Sequence, residues 1–263
     1  MRSTLVYDLP TRIFHWLFAG LFLTSFIIGK TIDDESLLFS YHMLSGILLS
    51  GLVLWRVFWG VFGARYARFS SYALNPIELK DYFSGLLTGS KKRWVGHNPA
   101  SSWAAILMFV LALGLGLTGY LMSTGNKETF EDLHEILANT FIIVVVLHIA
   151  GVLLHTIRHQ DLIALSMVDG KKQVLASNNG IQKNHSISAV ILIILVVFSG
   201  FLLNKNFNDQ DRTLKIFGTT LQLGENEEGE NEKEESEESG HEKNTNIQNQ
   251  LNNTSNDEDG DDD

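Results

Sequence analysis

The chain of 263 residues contains no cysteine. Without thiols it has no disulfide bonds, no thiolate zinc site and no iron–sulfur cluster. Covalent attachment of a c-type haem is also excluded, because that attachment requires the pattern Cys-x-x-Cys-His. Any redox or metal centre in this chain must therefore be held by ligands other than cysteine.

Charged residues are almost absent from five long apolar stretches. A helix needs roughly 20 apolar residues to cross a bilayer core, and about 17–25 is the usual range. No small-residue cleavage site follows the first stretch, so we interpret it as a membrane span rather than a signal peptide. The sequence predicts an all-α protein, a transmembrane four-helix bundle with one additional C-terminal transmembrane helix. The five stretches are Phe14–Gly29, Phe39–Phe62, Trp103–Met122, Ile136–Leu154 and Ile187–Leu203.

Acidic residues concentrate at the C-terminus. Residues 225–263 contain 16 Asp and Glu against two Lys, a net charge of −14. The whole chain carries −10, so residues 1–224 carry +4. The tail lacks aromatic residues, which together with its charge is typical of a disordered, solvated segment. We expect such a tail over 207–263, and attraction of a basic redox partner is the alternative role.

The charges of the connections alternate along the chain and predict its orientation. Residues 30–38 and 123–135 are acidic, whereas residues 63–102 and 155–186 are basic. Connections rich in Lys and Arg stay on the cytoplasmic side of a membrane. The sequence therefore predicts a multi-pass membrane protein with a cytoplasmic N-terminus and, if it has five spans, a tail on the outer side. Asn75-Pro76 opens an amphipathic segment that we expect on the cytoplasmic surface.

Four histidines, His15, His42, His134 and His148, lie within or at the ends of the predicted spans. Ionisable residues in membrane spans are rare and usually face the bundle interior. His134 and His148 are 14 residues apart, about 1400° of helix rotation and about 21 Å of rise, so they share one face. The orientation pairs His42 with His134 near the outer surface and His15 with His148 near the inner one. Paired imidazoles can supply both axial ligands of a haem, an arrangement that suits electron transfer.

Other interpretations apply to individual residues. A single membrane histidine can simply hydrogen-bond across helices. His155, seven residues after His148, could replace it as the partner of His15. His97 and His159 lie in or beside connections, and we expect them to be solvated or near lipid headgroups. Several small residues fit either room for a macrocycle or close helix packing: Gly20, Gly46, Gly114, Gly116 and Gly119.

Several motifs follow one another in order along the chain. They are Tyr7–Trp16, His42 with Gly46, Arg56 and Trp59-Gly60, Gly96–Ala100, Leu133–Asn139 followed by His148, His-Gln-Asp-Leu at 159–162, and Asp-Gly-Lys-Lys at 169–172. In these residues the chain resembles the bacterial cytochrome b561 and nickel–iron hydrogenase b-type cytochrome family, over roughly residues 5–175.

The resemblance implies that two haems b lie between the first, second and fourth helices, with His15, His42, His134 and His148 as their ligands. It also implies that electrons pass between membrane quinones and a partner protein. A di-haem domain would then occupy 1–175, a linker and fifth helix 176–206, and the acidic tail 207–263. The last two segments lie outside the family core and inherit no function from it.

Four functions are compatible with these features. We expect an electron-transfer protein linking the quinone pool to an exported redox partner such as a c-type cytochrome, with Arg12 and His155 as candidate neighbours of the quinone. The second is the b-type cytochrome anchor subunit of a nickel–iron hydrogenase. The third is an autonomous superoxide:quinone oxidoreductase, and the fourth a haem-free scaffold or transporter. No Gly-x-Gly-x-x-Gly motif follows a strand, so nothing indicates a nicotinamide or flavin site.

Overall fold

The computed structural model describes residues 2–89, 94, 96–159, 163–174, 180–216 and 218–224. Helices dominate these residues, and two small sheets accompany them. The helices are α1 (Leu9–Thr31), α2 (Ser40–Phe62), α3 (Pro76–Thr88), α4 (Pro99–Leu121), α5 (Lys127–His159), α6 (Ser166–Asp169) and α7 (Ser186–Asn206). The strands are β1 (Arg2–Leu5), β2 (Lys171–Val174), β3 (Phe207–Asn208), β4 (Thr213–Ile216) and β5 (Thr219–Gln222).

Five helices, α1, α2, α4, α5 and α7, correspond to the five apolar stretches. Each of the apolar helical runs that contain them is long enough to cross a membrane. The run from Pro99 to Arg158 holds both α4 and α5, because a π-helical turn at Met122–Asn126 joins them. Thr124 and Gly125 depart from helical geometry there, with Gly125 at φ 99°, so the chain reverses between the two helices. The predicted helical membrane bundle with one added helix is confirmed.

Polar residues begin the helices where the sequence predicts. The Asp8 side chain accepts a hydrogen bond from the Thr11 backbone N–H at 3.3 Å, and Pro10 lies in the first turn of α1. Asn75 accepts from the N–H of Ile77 at 2.9 Å and starts the amphipathic helix α3. These side chains satisfy backbone donors that have no partner within the helix.

The centre of the bundle is an apolar core shared by α2, α4 and α5. Neighbouring helices α1 and α2, α2 and α4, and α4 and α5 pack side by side. Outside this core, many large apolar side chains are exposed, for example Ile157 at 75% and Leu54 at 61%. Such a surface is expected where helices face hydrocarbon tails. The buried core residues are Leu49, Val53, Leu111, Ala112, Phe141 and Val144.

The fifth membrane helix packs against the bundle. Leu192 of α7 is buried against Phe14 of α1 and Leu52 of α2. The N-terminus is tied down nearby, since β1 pairs antiparallel with β2 through Leu5 and Lys171. This two-stranded sheet is absent from the sequence prediction, because strands of four residues carry little periodic signal.

The chain after α7 corrects the predicted start of the tail. Residues 207–224 are not an unstructured segment: β3, β4 and β5 form an antiparallel three-stranded sheet. Its buried residues Leu214, Leu221 and Leu223 pack on Leu44 of α2 and Leu203 of α7. Alternation of these leucines with polar residues gives the sheet one apolar face, which the charges further along the chain obscure. The acidic residues 225–263 lie outside the described residues.

Candidate haem-binding site

His42 of α2 and His134 of α5 meet at the end of the bundle opposite the N-terminus of α1. Their ring centroids are 6.2 Å apart and the ring planes are inclined at 74°. Two imidazoles on opposite sides of one metal ion, each with a metal–nitrogen bond of about 2 Å, have ring centroids roughly 6 Å apart. The spacing of this pair therefore suits two axial ligands of one haem iron.

The hydrogen bond of His42 leaves one ring nitrogen available to a metal. Its Nδ1 lies 2.8 Å from the backbone oxygen of Ser25 in α1. A carbonyl oxygen only accepts, so Nδ1 carries the proton and donates it. In a neutral imidazole the lone pair is then on Nε2, the nitrogen that binds iron.

Thr118 of α4 likewise hydrogen-bonds Nδ1 of His134 and leaves its Nε2 available to a metal. Its Oγ1 lies 2.9 Å from the carbonyl oxygen of Gly114 and 2.8 Å from His134 Nδ1. The hydroxyl proton is donated to the carbonyl, so Oγ1 accepts the N–H of the imidazole. Partners of this kind hold a ligand in one orientation and tautomer.

His15 of α1 and His148 of α5 occupy the other end of the bundle, where α1 begins. Both are half-buried, and they are close enough to interact electrostatically. Among the described residues, none hydrogen-bonds to the buried Nδ1 of His15. A buried polar atom without a partner is unusual in a protein interior and fits a group that meets a bound ligand. His155 lies seven residues further along α5 and is also half-buried, and its replacement of His148 as a ligand stays an open prediction.

Two glycines predicted to provide room for a macrocycle have space beside them, and three lie against neighbouring side chains. A Cβ added to Gly20 or Gly46 would meet no atom within 4 Å. At Gly114 an added Cβ would lie 3.1 Å from Leu137, and at Gly119 it would lie 3.6 Å from His134. Gly116 meets Ser50 of α2 even more closely. The glycines of α4 therefore allow close helix packing, while Gly46 leaves space one turn after His42.

The sequence predicts that His97 is solvated or near lipid headgroups, but in the structure the ring is partly buried and its Nδ1 is fully buried. Its ring packs on Tyr72 at 4.6 Å and edge-on to Tyr7 at 5.4 Å, and its buried Nδ1 has no hydrogen-bond partner. The sequence places His97 in a connection before α4, and connections usually lie at the surface. Here the aromatic side chains of two other segments cover it.

The surroundings of His97 keep it neutral. Burial, and after it positive charges nearby, together lower its pKa to about 3. Lys172 and Arg56 carry those charges. His97 is therefore a neutral donor or acceptor beside the His15/His148 pair, a role that the sequence did not predict.

A cavity opens at the side of the bundle between α1, α6 and α7, near the His15/His148 pair. It measures about 520 Å³ and its lining is almost entirely apolar, including Trp16, Met167 and Val197. Arg12 is the charged residue in that lining, and its buried Nε has no hydrogen-bond partner. Trp16, the neighbour of His15, donates through Nε1 to the Met167 backbone oxygen at 2.9 Å.

Residues 6–170, more than half of the chain, match the family model described as prokaryotic cytochrome b561. The chain belongs to the prokaryotic cytochrome b561 family. Cytochromes of this type contain haem b, and the spacing of the His42/His134 pair, the unpartnered His15 Nδ1 and the space beside Gly46 all fit that group. The matched residues end before α7 and the C-terminal sheet.

Curated relatives carry hydrogenase names. The probable Ni/Fe-hydrogenase 1 B-type cytochrome subunit of Escherichia coli (strain K12) is 25% identical over 151 residues, which cover 48% of this chain and 63% of the relative. The probable Ni/Fe-hydrogenase B-type cytochrome subunit of Rhizobium leguminosarum bv. viciae is 26% identical over 220 residues, 65% of this chain and 89% of the relative. The protein of that name from Azotobacter vinelandii is 29% identical over 141 residues, 44% and 58% of the two chains. No solved structure matches this chain.

Proposed function

We propose that this chain is the membrane subunit of a nickel–iron hydrogenase, a di-haem cytochrome b that carries electrons across a bacterial cytoplasmic membrane. The observation that carries the di-haem assignment is the pairing of histidines at both ends of one bundle. The ring centroids of His42 and His134 are 6.2 Å apart at one end, and His15 and His148 lie within electrostatic range of each other at the other. The hydrogenase partner is supported by the names of the relatives.

In this proposal each histidine pair holds one haem b by its two imidazole nitrogens. When bound, haem b would supply one-electron redox chemistry, and ligation of the iron by two histidines would leave no coordination position for oxygen. The backbone of Ser25 and the hydroxyl of Thr118 orient the imidazoles of the His42/His134 pair. The apolar core between the pairs excludes water, and the pairs are about 21 Å apart along α5 by helix rise.

The alternating charges of the connections support an orientation for the electron path across the membrane. With the basic connections in the cytoplasm, the His42/His134 pair faces the periplasm and the His15/His148 pair faces the cytoplasm. An exported hydrogenase would deliver electrons at the periplasmic end. The relatives' names favour this partner over the exported c-type cytochrome that the sequence analysis put first.

The lateral cavity beside Trp16 supports a quinone as the electron acceptor. Its volume of about 520 Å³ lies within the range of about 300–1,000 Å³ that ligand sites occupy. Its apolar walls suit the body of a membrane-soluble ring compound. Arg12 Nε, buried and without a partner, is a donor suited to a quinone carbonyl oxygen.

Haem content tests the ligand assignment. The full-length chain, purified in detergent, should contain two haems b per polypeptide by quantitation and a dithionite-reduced spectrum. His134→Ala and His148→Ala should each remove a different low-spin haem and keep the other. Wild-type protein that folds without haem would refute the function, and retention of both haems in His148→Ala would transfer that ligand role to His155.

A second measurement tests the partner. In membranes of a host that expresses the chain together with its own hydrogenase, hydrogen gas should reduce the b-type haem absorption. His42→Ala should abolish this reduction and leave dithionite reduction of the remaining haem intact. Reduction by superoxide, but not by hydrogen, would point instead to an autonomous superoxide:quinone oxidoreductase.

A further inference from the structure

Arg56 of α2 is a buried cation without an anionic partner among the described residues. It is 2% exposed. Its Nη2 donates to the backbone oxygen of Ala67 at 3.0 Å and to the hydroxyl of Tyr72 at 2.9 Å, and both acceptors are neutral. Its buried Nη1 has no hydrogen-bond partner in the part of the chain that the structure describes. An arginine stays charged in proteins, and a buried charge that is not balanced is strongly unfavourable.

Aromatic rings compensate part of this charge. The guanidinium carbon lies 5.8 Å from the ring centre of Phe14, 5.6 Å from that of Phe69 and 5.5 Å from that of Phe109. Ring faces attract cations, and they attract arginine most strongly where water is excluded. Rings give the Nη1 protons no oxygen acceptor, so the cluster still lacks an anion.

The buried carboxylate of Asp8 does not supply that anion. Its Oδ2 accepts from Trp59 Nε1 at 3.1 Å, and its Oδ1 accepts from Thr11. Asp8 therefore caps α1 and holds α2 to it. The charge of Arg56 remains for another group to neutralise.

The free donors of this cluster lie at the end of the bundle that holds His15 and His148. Phe14, which touches Arg56, directly precedes His15 in α1. Tyr72, the hydrogen-bond partner of Arg56, packs on His97, whose buried Nδ1 also lacks a partner. His97 in turn lies within electrostatic range of His148. Two unused buried donors from α2 and the connection before α4 thus accompany the second histidine pair.

We propose that Arg56 and His97 bind a propionate carboxylate of the haem held by His15 and His148. This inference rests on the haem assignment above. Haem b carries two propionates that are negative at neutral pH, and a carboxylate accepts from a guanidinium and an imidazole N–H together. The propionate supplies the oxygen that Arg56 Nη1 lacks. Arg56 and His97 would thereby anchor that haem through its propionate.

Arg56 also affects the electron affinity of that haem. A fixed positive charge nearby stabilises the reduced form relative to the oxidised form, which carries one more positive charge. Loss of Arg56 should therefore lower the midpoint potential of the His15/His148 haem. The haem at the other end, about 21 Å away by helix rise, should keep its potential.

The experiment pairs a change in the protein with a change in the ligand. Full-length wild type, Arg56→Gln and Arg56→Lys are produced in a haem-deficient host and loaded with haem b or with haem b dimethyl ester, in which both propionates are neutral. With haem b, Arg56→Gln should weaken retention of the His15/His148 haem by about tenfold to a hundredfold and lower its midpoint potential. Arg56→Lys, which keeps the charge, should restore most of the potential.

The ester gives the decisive comparison. Esterification should weaken haem retention in the wild type at least as much as Arg56→Gln does, because it removes the anionic acceptor of both Arg56 and His97. In Arg56→Gln, where only the His97 contact remains to be lost, esterification should cause a clearly smaller loss than in the wild type. If the substitution and the esterification reduce haem retention independently, so that their effects multiply, then Arg56 does not contact the propionates and the proposal is overturned. A dependence on anionic lipid without any response to esterification would overturn it too, since the anion would then be a lipid phosphate.

Folding and function are controlled separately. Retention of the His42/His134 haem shows that a variant is folded. If Arg56→Gln loses both haems, the test uses the wild type only. Equal retention and equal midpoint potential of haem b and its dimethyl ester in the wild type would then overturn the proposal. Absence of haem from the wild type would instead refute the proposed function.

Discussion

Replacing Gly29 with alanine should displace His42 and weaken binding of the haem at the His42/His134 pair. The same change should stabilise helix α1. Gly29 lies near the end of α1, and a Cβ built there would be 2.8 Å from His42 Nδ1 and 2.9 Å from its Cε1. Ordinary contacts of this kind begin at 3.4 Å. The imidazole must therefore move by about 0.6 Å, more than the roughly 0.5 Å within which a binding constellation has to be held.

That movement has a calculable effect. It stretches the 2.8 Å hydrogen bond between His42 Nδ1 and the Ser25 carbonyl. Loss of a hydrogen bond that leaves a buried group unpaired costs about 1–3 kcal/mol, or about 5- to 150-fold in binding. Alanine in place of glycine favours a helix by about 1 kcal/mol. Thermal stability of the haem-free chain and affinity for the haem should thus change in opposite directions.

The assay measures both quantities in detergent. Haem transfer to apomyoglobin gives the loss rate of each haem, distinguished by its low-spin spectrum, and thermal unfolding gives stability. Gly51→Ala in α2 is the matched control, because a Cβ there meets no atom within 4 Å and Gly51 is exposed, nine residues after His42. Wild-type retention and an unshifted spectrum in Gly29→Ala would refute the reasoning that His42 is a ligand held against α1.

Two further predictions follow. Thr118→Val removes the acceptor of the His134 N–H and should weaken binding of the haem at the His42/His134 pair by about 10- to 100-fold. Thr118→Ser keeps the hydroxyl and should bind that haem as the wild type does. Equal loss of haem from both variants in the haem-transfer assay would contradict the hydrogen-bond role. Asp34 accepts from Lys127 at 2.8 Å, and this hydrogen bond lowers the Asp34 pKa below its ordinary 3.8. The stabilisation is therefore present above pH 3.8 and lost as the pH falls through the lower folded value. Asp34→Asn should reduce unfolding stability by about 0.5 kcal/mol near neutral pH, because the pair is partly exposed, and thermal unfolding at several pH values and salt concentrations measures it; a difference that persists well below pH 3.8 would contradict this origin.

Local patterns in the sequence account for the helices. Runs of apolar residues predict the five membrane helices, and Asp8 and Asn75 mark helix starts that the structure confirms. The interval between His134 and His148 predicts their shared face on α5. Each of these properties is a sum over neighbouring residues, so it can be calculated from one segment at a time.

Contacts between side chains of different segments could not be predicted from the sequence. The sequence did not predict that Ser25 would contact His42 or that Thr118 would contact His134, because each pair is on two different helices. Burial of His97 depends on Tyr72 and Tyr7, which come from separate segments. The sheet at 207–224 was missed because its short strands become apolar on one face only against α2 and α7.

The sequence by itself determined that this chain forms membrane helices, that histidines lie at two depths, and which family it belongs to. Tertiary structure alone decided the rest: the second contacts of the histidines, the unbalanced charge of Arg56 and the cavity beside α7. The physical reason is that hydropathy and helical period are additive along one segment. Which side chains meet depends on the rotation and axial shift of every helix against its neighbours, and packing of the whole bundle sets those.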